Sequence, residues 1–373
     1  MDRFQLAKTV EWLIITYPLN LKRGPMAQRK VNRRQAWRIQ KIQEERTARA
    51  QKRDEQIDSQ LEGGELGPEQ HGLIISHFGK QVDVEVLEGE LTGEIIRCYM
   101  RTHLGQLVTG DRVIWRKSPD AGVVVAVEDR DSELKRPNNH GELKPVAANI
   151  DAILIVIAVE PYAHANLVDR YLVASELSDI EPVIVLNKTD LLNDSNRERL
   201  IPLLDSYREI GYRIIYASTS DKSGLDELKA FLADRTTVFV GQSGVGKSSL
   251  VNTLLPGVDI KVGELSEATR KGRHTTTTAR LFHIPEGGNL IDSPGIREFG
   301  LWHIEPTRLI DGFVDLREVT GHCKFRDCQH EAEPGCAFHE AIDKGLVSET
   351  RFLSYKQILN SMLESDFKAK EAR

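Results

Sequence analysis

Two textures of apolar and polar positions divide this chain. Between Leu73 and about Asn138 the short runs LIISHF, QVDVEVL, GEIIRCYM, VTGDRVIW and AGVVVAVEDR are β-rich and separated by turns, the signature of half-buried strands. Five such strands predict a small closed barrel of the oligonucleotide-binding (OB) type, although a β-domain without a ligand would read the same way. From Val146 the runs become almost continuously apolar, as in AANIDAILIVIAV and EPVIVLN, and GYRIIYAS, TTVFVG, ARLFHI and NLIDSPG follow. Runs of this kind suit strands buried on both faces of a parallel sheet. Helical patterns at about 164–178, 196–210, 225–233 and 247–255 supply the covering layers of a six-strand α/β domain. Beyond Gly300 a Cys/His cluster precedes a helical region from about Ala337.

LEGGELGPEQHG (Leu61 to Gly72) has the Gly, Pro and Glu content of a linker. The expected organisation is therefore multi-domain: an N-terminal arm and linker (1–70), an OB-fold-like barrel (71–140), a central α/β domain (141–300) and a metal-binding helical module (301–373). The 373 residues are enough for two or three cores. The net charge of −6 conceals an asymmetry, because residues 22–53 carry twelve Lys or Arg against only Glu44 and Glu45. Such an arm is either a solvated helix or tail, or a segment that neutralises nucleic-acid phosphates. Met26 opens MAQRKVNRR and is a candidate initiator, with residues 1–25 as an extension. No run approaches the ~20 apolar residues of a membrane span. The first residues are interrupted by Lys8, Glu11 and Pro18 and lack a small-residue cleavage site, so a cytoplasmic protein with no membrane partner is expected.

The chemistry begins at Gly241. Gly241, Gln242, Ser243, Gly244, Val245, Gly246, Lys247, Ser248 and Ser249 fit the phosphate-loop pattern G-x-x-x-x-G-K-[ST], with the strand TTVFV before it and a helical run after it. Glycines let successive N–H groups curl around phosphate oxygens, Lys247 would reach the β- and γ-phosphates, and Ser248 would join magnesium. Asn187, Lys188, Thr189 and Asp190 follow the strand EPVIVL. A carboxylate at that carboxyl end accepts both hydrogen bonds from guanine N1 and N2, which adenine does not offer. Ser218, within Ala217-Ser218-Thr219 after the next strand, sits where a backbone N–H would touch guanine O6. In DSPG, Asp292 would bind magnesium through water and the Gly295 N–H would sense the γ-phosphate. RKGRHTTTTARL would add a hydroxyl to the magnesium shell, with Thr276 the first candidate among 275–278. A plain turn competes for the first of these segments and a polar loop for the second.

These elements run in the order NKTD, AST, phosphate loop, threonine run, DSPG. Rotating that order cyclically restores the order of a Ras-like GTPase, so the chain reads as a circularly permuted P-loop GTPase. Chain ends that lie close together make such a cut tolerable in a surface loop.

In its permuted order, its GRHTTT loop and the barrel in front, the chain resembles the ribosome small-subunit-dependent GTPase A family over residues 26 to about 365. The resemblance implies hydrolysis of GTP to GDP and phosphate, slow alone and stimulated by the small ribosomal subunit, in the service of late maturation of that subunit through rRNA. It also leaves room for other ribosome assembly factors as partners, and a monomer is expected. A GTP-regulated RNA-binding protein with incidental hydrolysis, or one acting on a non-ribosomal partner, is the alternative.

Ile296 occupies the position where many GTPases carry a water-orienting Gln. Unaided turnover should therefore be slow, and His274 is the candidate to hold the water, with a solvent-facing imidazole as the competing reading. Catalytic candidates are thus Lys247, His274, Thr276 and Gly295, and the magnesium candidates are Ser248, Thr276 and Asp292. Cys323, Cys328, His330 and Cys336 form C-x4-C-x-H-x5-C, a donor set suited to one closed, structural zinc. His322 and His339 are spare imidazoles, and Cys98 stands alone in the barrel as a core thiol.

Overall fold

A computed structural model describes residues 66–101, 104–119, 121–138, 142–257, 279–293, 296, 300–301, 304–331 and 333–371, without the side chains of 365–371. The basic arm, Met26, His274, Thr276 with the other threonines of 275–278, and Gly295 lie outside the described residues.

Five strands, β1 (Glu69–Phe78), β2 (Gln81–Val86), β3 (Ile95–Met100), β4 (Arg112–Lys117) and β5 (Gly122–Val127), pair in the order β1-β2-β3-β5-β4 and close through β1–β4. Closure removes the open edges that an isolated meander would expose. Ile74, Val82, Val84, Val113, Trp115 and Val124 fill the barrel, and Cys98 is buried among them. Burial pushes the Cys98 thiol up to about 12, which leaves it an inert core group.

A hairpin of β6 (Glu133–Pro137) and β7 (Leu143–Ala148) follows. Here the structure departs from the sequence reading, which began the apolar strand at Ala147. Ala147 and Ala148 close the hairpin, and the buried parallel strand β8 spans Ala152–Ala158. The central sheet adds β9 (Glu181–Asn187), β10 (Arg213–Tyr216), β11 (Thr236–Val240), β12 (Arg280–His283) and β13 (Asn289–Asp292), ordered β10-β9-β8-β11-β13-β12. All neighbours are parallel except β12, which runs antiparallel to β13.

Alternate residues of the apolar strands point to opposite faces. Ile153, Ile155, Ile157, Ile184 and Val238 meet α1 (Ala165–Glu176) and α2 (Asp194–Ile210). Leu154, Val156, Val183, Val185 and Phe239 meet α3 (Leu225–Leu232) and α4 (Lys247–Leu254). Helix α2 starts at an Asn193 capping box and stops at Gly211, whose φ of 112° is a conformation open chiefly to glycine.

The C-terminal module, α5 (Val314–Arg317), α6 (Ala337–Asp343) and α7 (Glu349–Glu371), packs Phe313, Leu316, Phe338, Phe352 and Ile358 against Val173 of α1. The barrel joins the sheet at its other side, where Ser76 of β1 pairs with Arg280 of β12.

Candidate nucleotide site and metal centre

Because β8, β9, β10, β11 and β13 are parallel, their carboxyl ends share one edge, where open α/β sheets hold ligands. Asn187 ends β9, Gly241 follows β11 and Asp292 ends β13. The loop from Gly241 to Gly246 needs its glycines at two close approaches. A Cβ on Gly241 (φ 137°) would lie 2.2 Å from the Val156 carbonyl oxygen, and one on Gly246 (φ 93°) would lie 2.3 Å from Asn187 Nδ2.

The NKTD segment and the glycine loop are tied directly together. Asn187, 1% exposed, donates from Nδ2 to the Val245 carbonyl at 2.8 Å. Its Oδ1 is buried and has no protein hydrogen bond among the described residues. An orphaned acceptor of this kind suits a site that a polar ligand completes. Lys188 adopts φ 60° and its ammonium donates to the carbonyls of Glu160 (2.7 Å) and Gly244 (2.8 Å). Thr189 Oγ1 donates to the Ala217 carbonyl at 3.1 Å, and Ser218 Oγ donates to Asp190 Oδ1 at 2.5 Å. The structure therefore brings Asn187 to Asp190 and Ser218 into one bonded group, with one Asp190 oxygen engaged by Ser218. Lys247 opens α4 and its Nζ donates to the carbonyls of Gly241 (2.6 Å) and Gln242 (2.7 Å). Gln242 in turn donates to the Pro161 carbonyl at 3.3 Å. Ser243 and Gly244 are exposed, Val245 is buried, Ser248 is half-buried and Ser249 is exposed. Ile296 is 2% exposed and belongs to the main core, so its side chain packs away from solvent.

The second candidate site is assembled by side chains. The ligand atoms of Cys323, Cys328, His330 and Cys336 all lie within 4.8 Å of one another, and His330 Nδ1 is 3.5 Å from Cys323 Sγ and 3.6 Å from Cys336 Sγ. Three thiols and one imidazole at such separations fit a tetrahedral metal ion. Burial lowers the His330 pKa and favours the neutral ring a metal needs. The loop is braced by Glu333, whose carboxylate accepts from the amides of Gln329 and Glu331, both at 2.8 Å. Those bonds, that of Gln329 foremost, hold its carboxyl down at about 2. The two spare imidazoles stand outside the cluster. His322 Nδ1 meets the Val319 carbonyl at 3.3 Å, and His339 Nε2 meets that of Glu331 at 2.8 Å.

Sequence reasoning missed Arg351. Only 3% exposed, it forms ion pairs with Asp169, itself fully buried, and with Asp315 at 3.2 Å, and its guanidinium lies 4.5 Å from the Phe313 ring centroid. Tyr207 also donates to Asp169 at 2.7 Å. No spacing rule marks this residue, since an Arg in the first turn of a polar helix ordinarily faces water.

A parallel sheet whose shared edge gathers an NKTD segment and a glycine phosphate loop, in inverted chain order and beside a closed five-stranded barrel, defines a circularly permuted P-loop GTPase. The chain belongs to the RsgA GTPase family, whose profile matches residues 127–302. A Hahella chejuensis relative described as "Small ribosomal subunit biogenesis GTPase RsgA" is 59% identical over 342 residues, covering 91% of this chain and 98% of its own. Among solved structures, YjeQ from Thermotoga maritima is 31% identical with a TM-score of 0.66, covering 79% of this chain and 99% of its own. YloQ, described as a circularly permuted GTPase, is also 31% identical with a TM-score of 0.63 over 80% of this chain and 96% of its own. The chain is accordingly an enzyme that hydrolyses GTP.

Proposed function

We propose that this GTPase turns over slowly alone and faster on the small ribosomal subunit, assisting late maturation of that subunit in the cytoplasm through rRNA contacts. The observation that carries the reading is the direct bond from Asn187 to the phosphate-loop carbonyl of Val245, which makes base recognition and phosphate binding parts of one rigid unit. The subunit assignment rests on the relatives' printed description.

In this reading Asp190 selects guanine and Lys188 covers the base, whereas the Ser218 amide expected at O6 donates to the Ser223 carbonyl at 2.9 Å and leaves O6 to another donor. Lys247 exchanges its two loop carbonyls for phosphate oxygens and balances the charge that develops on them. Ser248, Asp292 and a threonine of 275–278, Thr276 first, would hold magnesium, which supplies charge neutralisation at the β- and γ-oxygens. Burial of Ile296 leaves no side chain there to orient the attacking water. That role falls to His274, with the Gly295 amide at the γ-phosphate. One structural zinc would be held by Cys323, Cys328, His330 and Cys336.

Single-turnover GTP hydrolysis with and without purified small subunits tests the assignment. Stimulation is expected, and Lys247→Ala should abolish nucleotide binding or turnover. Equal rates with and without subunits would sink the ribosomal reading while leaving the GTPase intact.

A further inference from the structure

The nucleotide site is braced by a loop that carries none of its motifs. Residues 159–164, between β8 and α1, meet both halves of the site. The Glu160 carbonyl accepts from Lys188 Nζ at 2.7 Å, and the next carbonyl, that of Pro161, accepts from Gln242 Nε2 at 3.3 Å. Lys188 Nζ also donates to the Gly244 carbonyl at 2.8 Å, so one ammonium bridges this loop and the glycine loop. A Cβ built on Gly244 would lie 3.8 Å from the Pro161 ring, which places the two loops in van der Waals reach. Two consecutive carbonyls thus take one side chain from the NKTD segment and one from the glycine loop.

Both ends of the bracing loop are anchored. Val159 N donates to the Asn187 carbonyl at 3.3 Å, and Tyr207 Oη donates at 3.3 Å to the carbonyl of Ala165, the first residue of α1. In the middle, Glu160, Pro161 and His164 are exposed, whereas Ala163 is buried and Tyr162 packs against the main core. The solvent side of Tyr162 is covered from α2, the helix that follows NKTD. The Arg199 guanidinium lies 4.2 Å from the Tyr162 ring centroid, and the His164 ring meets Tyr162 edge-on with centroids 5.1 Å apart. A guanidinium at that distance is held by the ring quadrupole. Among the described residues Arg199 forms no ion pair, so the ring is the partner its charge has.

We propose that Tyr162 and Arg199 are positioning residues for the nucleotide: Tyr162 sets the Glu160 and Pro161 carbonyls against Lys188 and Gln242, and Arg199 fixes Tyr162 from α2. The inference rests on the reading that Lys188 covers the guanine and the glycine loop takes the phosphates. A brace of this kind lowers the number of conformations that Lys188 and the glycine loop must give up when a ligand binds. It acts on parts of the site that GDP and GTP share, so it sets the affinity for both and leaves the chemical step alone.

The test uses the full chain with magnesium, titrated with GDP and with a non-hydrolysable GTP analogue, alongside single-turnover hydrolysis at saturating GTP. Arg199→Ala should raise both dissociation constants roughly two- to fivefold, the affinity equivalent of one exposed cation–π contact. Tyr162→Ala should raise them at least as much, and the double variant no further than Tyr162→Ala alone, because the two side chains act as one unit. The single-turnover rate should stay at the wild-type value throughout. Tyr162→Phe keeps the ring and should bind as wild type. Arg197→Ala removes the same charge from an exposed position of α2 and should also bind as wild type. Tyr162→Leu carries the test should the alanine variant fail to fold. A folded ring-less variant with wild-type affinities overturns the proposal, as do additive losses in the double variant or an Arg197→Ala loss equal to that of Arg199→Ala. Failure of the underlying site reading would look different: a wild-type chain without affinity for guanine nucleotides.

Discussion

The two modules that flank the central sheet are joined to it by opposite means. On the barrel side the join is a strand pairing, Ser76 with Arg280, reinforced by the Thr109 hydroxyl and the Glu85–His283 pair. On the C-terminal side it is a side-chain plug, with Arg351 of α7 inserted between Asp169 of α1 and Asp315 of α5 and ringed by Phe313, Tyr207 and Tyr212. That join divides its energy among a few separate contacts, one strand register pair, one hydroxyl and one ion pair, and fixes register. A buried ion pair concentrates it in one residue, because removing either partner strands a desolvated charge. The barrel join suits transmission of small displacements, and the C-terminal join suits all-or-none attachment.

Metal removal should break the contrast most visibly. Structural zinc contributes ~10–16 kcal/mol of apparent binding free energy in finger peptides, and the segment from Cys323 to Cys336 has few other buried anchors. Chelation should abolish hydrogen-exchange protection over that segment and α6 while leaving the barrel strands protected. Undiminished protection of α6 in metal-free protein would show that packing of Phe338 on Phe352, with centroids 5.3 Å apart, is sufficient.

Arg351→Met comes next. It leaves Asp169 fully buried without its cation, an effect of about 3–5 kcal/mol, read as a drop in the denaturation midpoint. Adding Asp169→Leu should recover most of the loss, since an apolar replacement of a whole buried pair is often neutral. A single substitution within experimental error of wild type would remove the plug from the account.

On the barrel side, Gly110→Ala is the comparable disruption. Its φ of 92° disfavours a side chain, and the new Cβ would stand 2.2 Å from the Ala148 carbonyl oxygen. We expect a loss of about 2–3 kcal/mol, smaller than for Arg351 because the turn can shift while β1–β12 pairing persists. A loss exceeding that of Arg351→Met would reverse the ranking of the two joins.

What could be read from sequence follows the same division. The phosphate-loop pattern, NKTD and the Cys3His cluster stand out in sequence because their chemistry demands particular residues at fixed spacing, and the strands at 152–158, 181–187 and 236–240 because burial on both faces leaves continuous apolar runs. The β6–β7 hairpin was not, since ELKRP and LKPVAA carry prolines and charges that read as turn, and only edge pairing makes them strands. VTGDRVIW read as one strand, whereas β4 begins at Arg112 and Val108–Asp111 is the joint against the sheet. Arg351 and Thr109 were invisible because their meaning lies in partners 182 and 170 residues away.

The smallest expected effect distinguishes the joins by pH. His77 lies on β1 one residue beyond Ser76, and burial lowers its pKa from 6.5, with Asp111 pulling partly the other way. A histidine harder to protonate when folded contributes stability that is complete above pH 6.5 and declines as pH falls below it, where the unfolded chain gains the proton first. His77 is only partly buried, so solvent screening should keep the decline under about 1 kcal/mol. The C-terminal plug moves differently, because Arg351, whose charged form Asp169 stabilises against the penalty of burial, keeps its proton throughout this range. Lowering pH from 8 to 5.5 should therefore loosen hydrogen-exchange protection in β1 before it affects α7, and His77→Gln should flatten that dependence. Loss of α7 protection first would mean that the buried carboxylates, rather than the barrel histidine, set the acid sensitivity of the molecule.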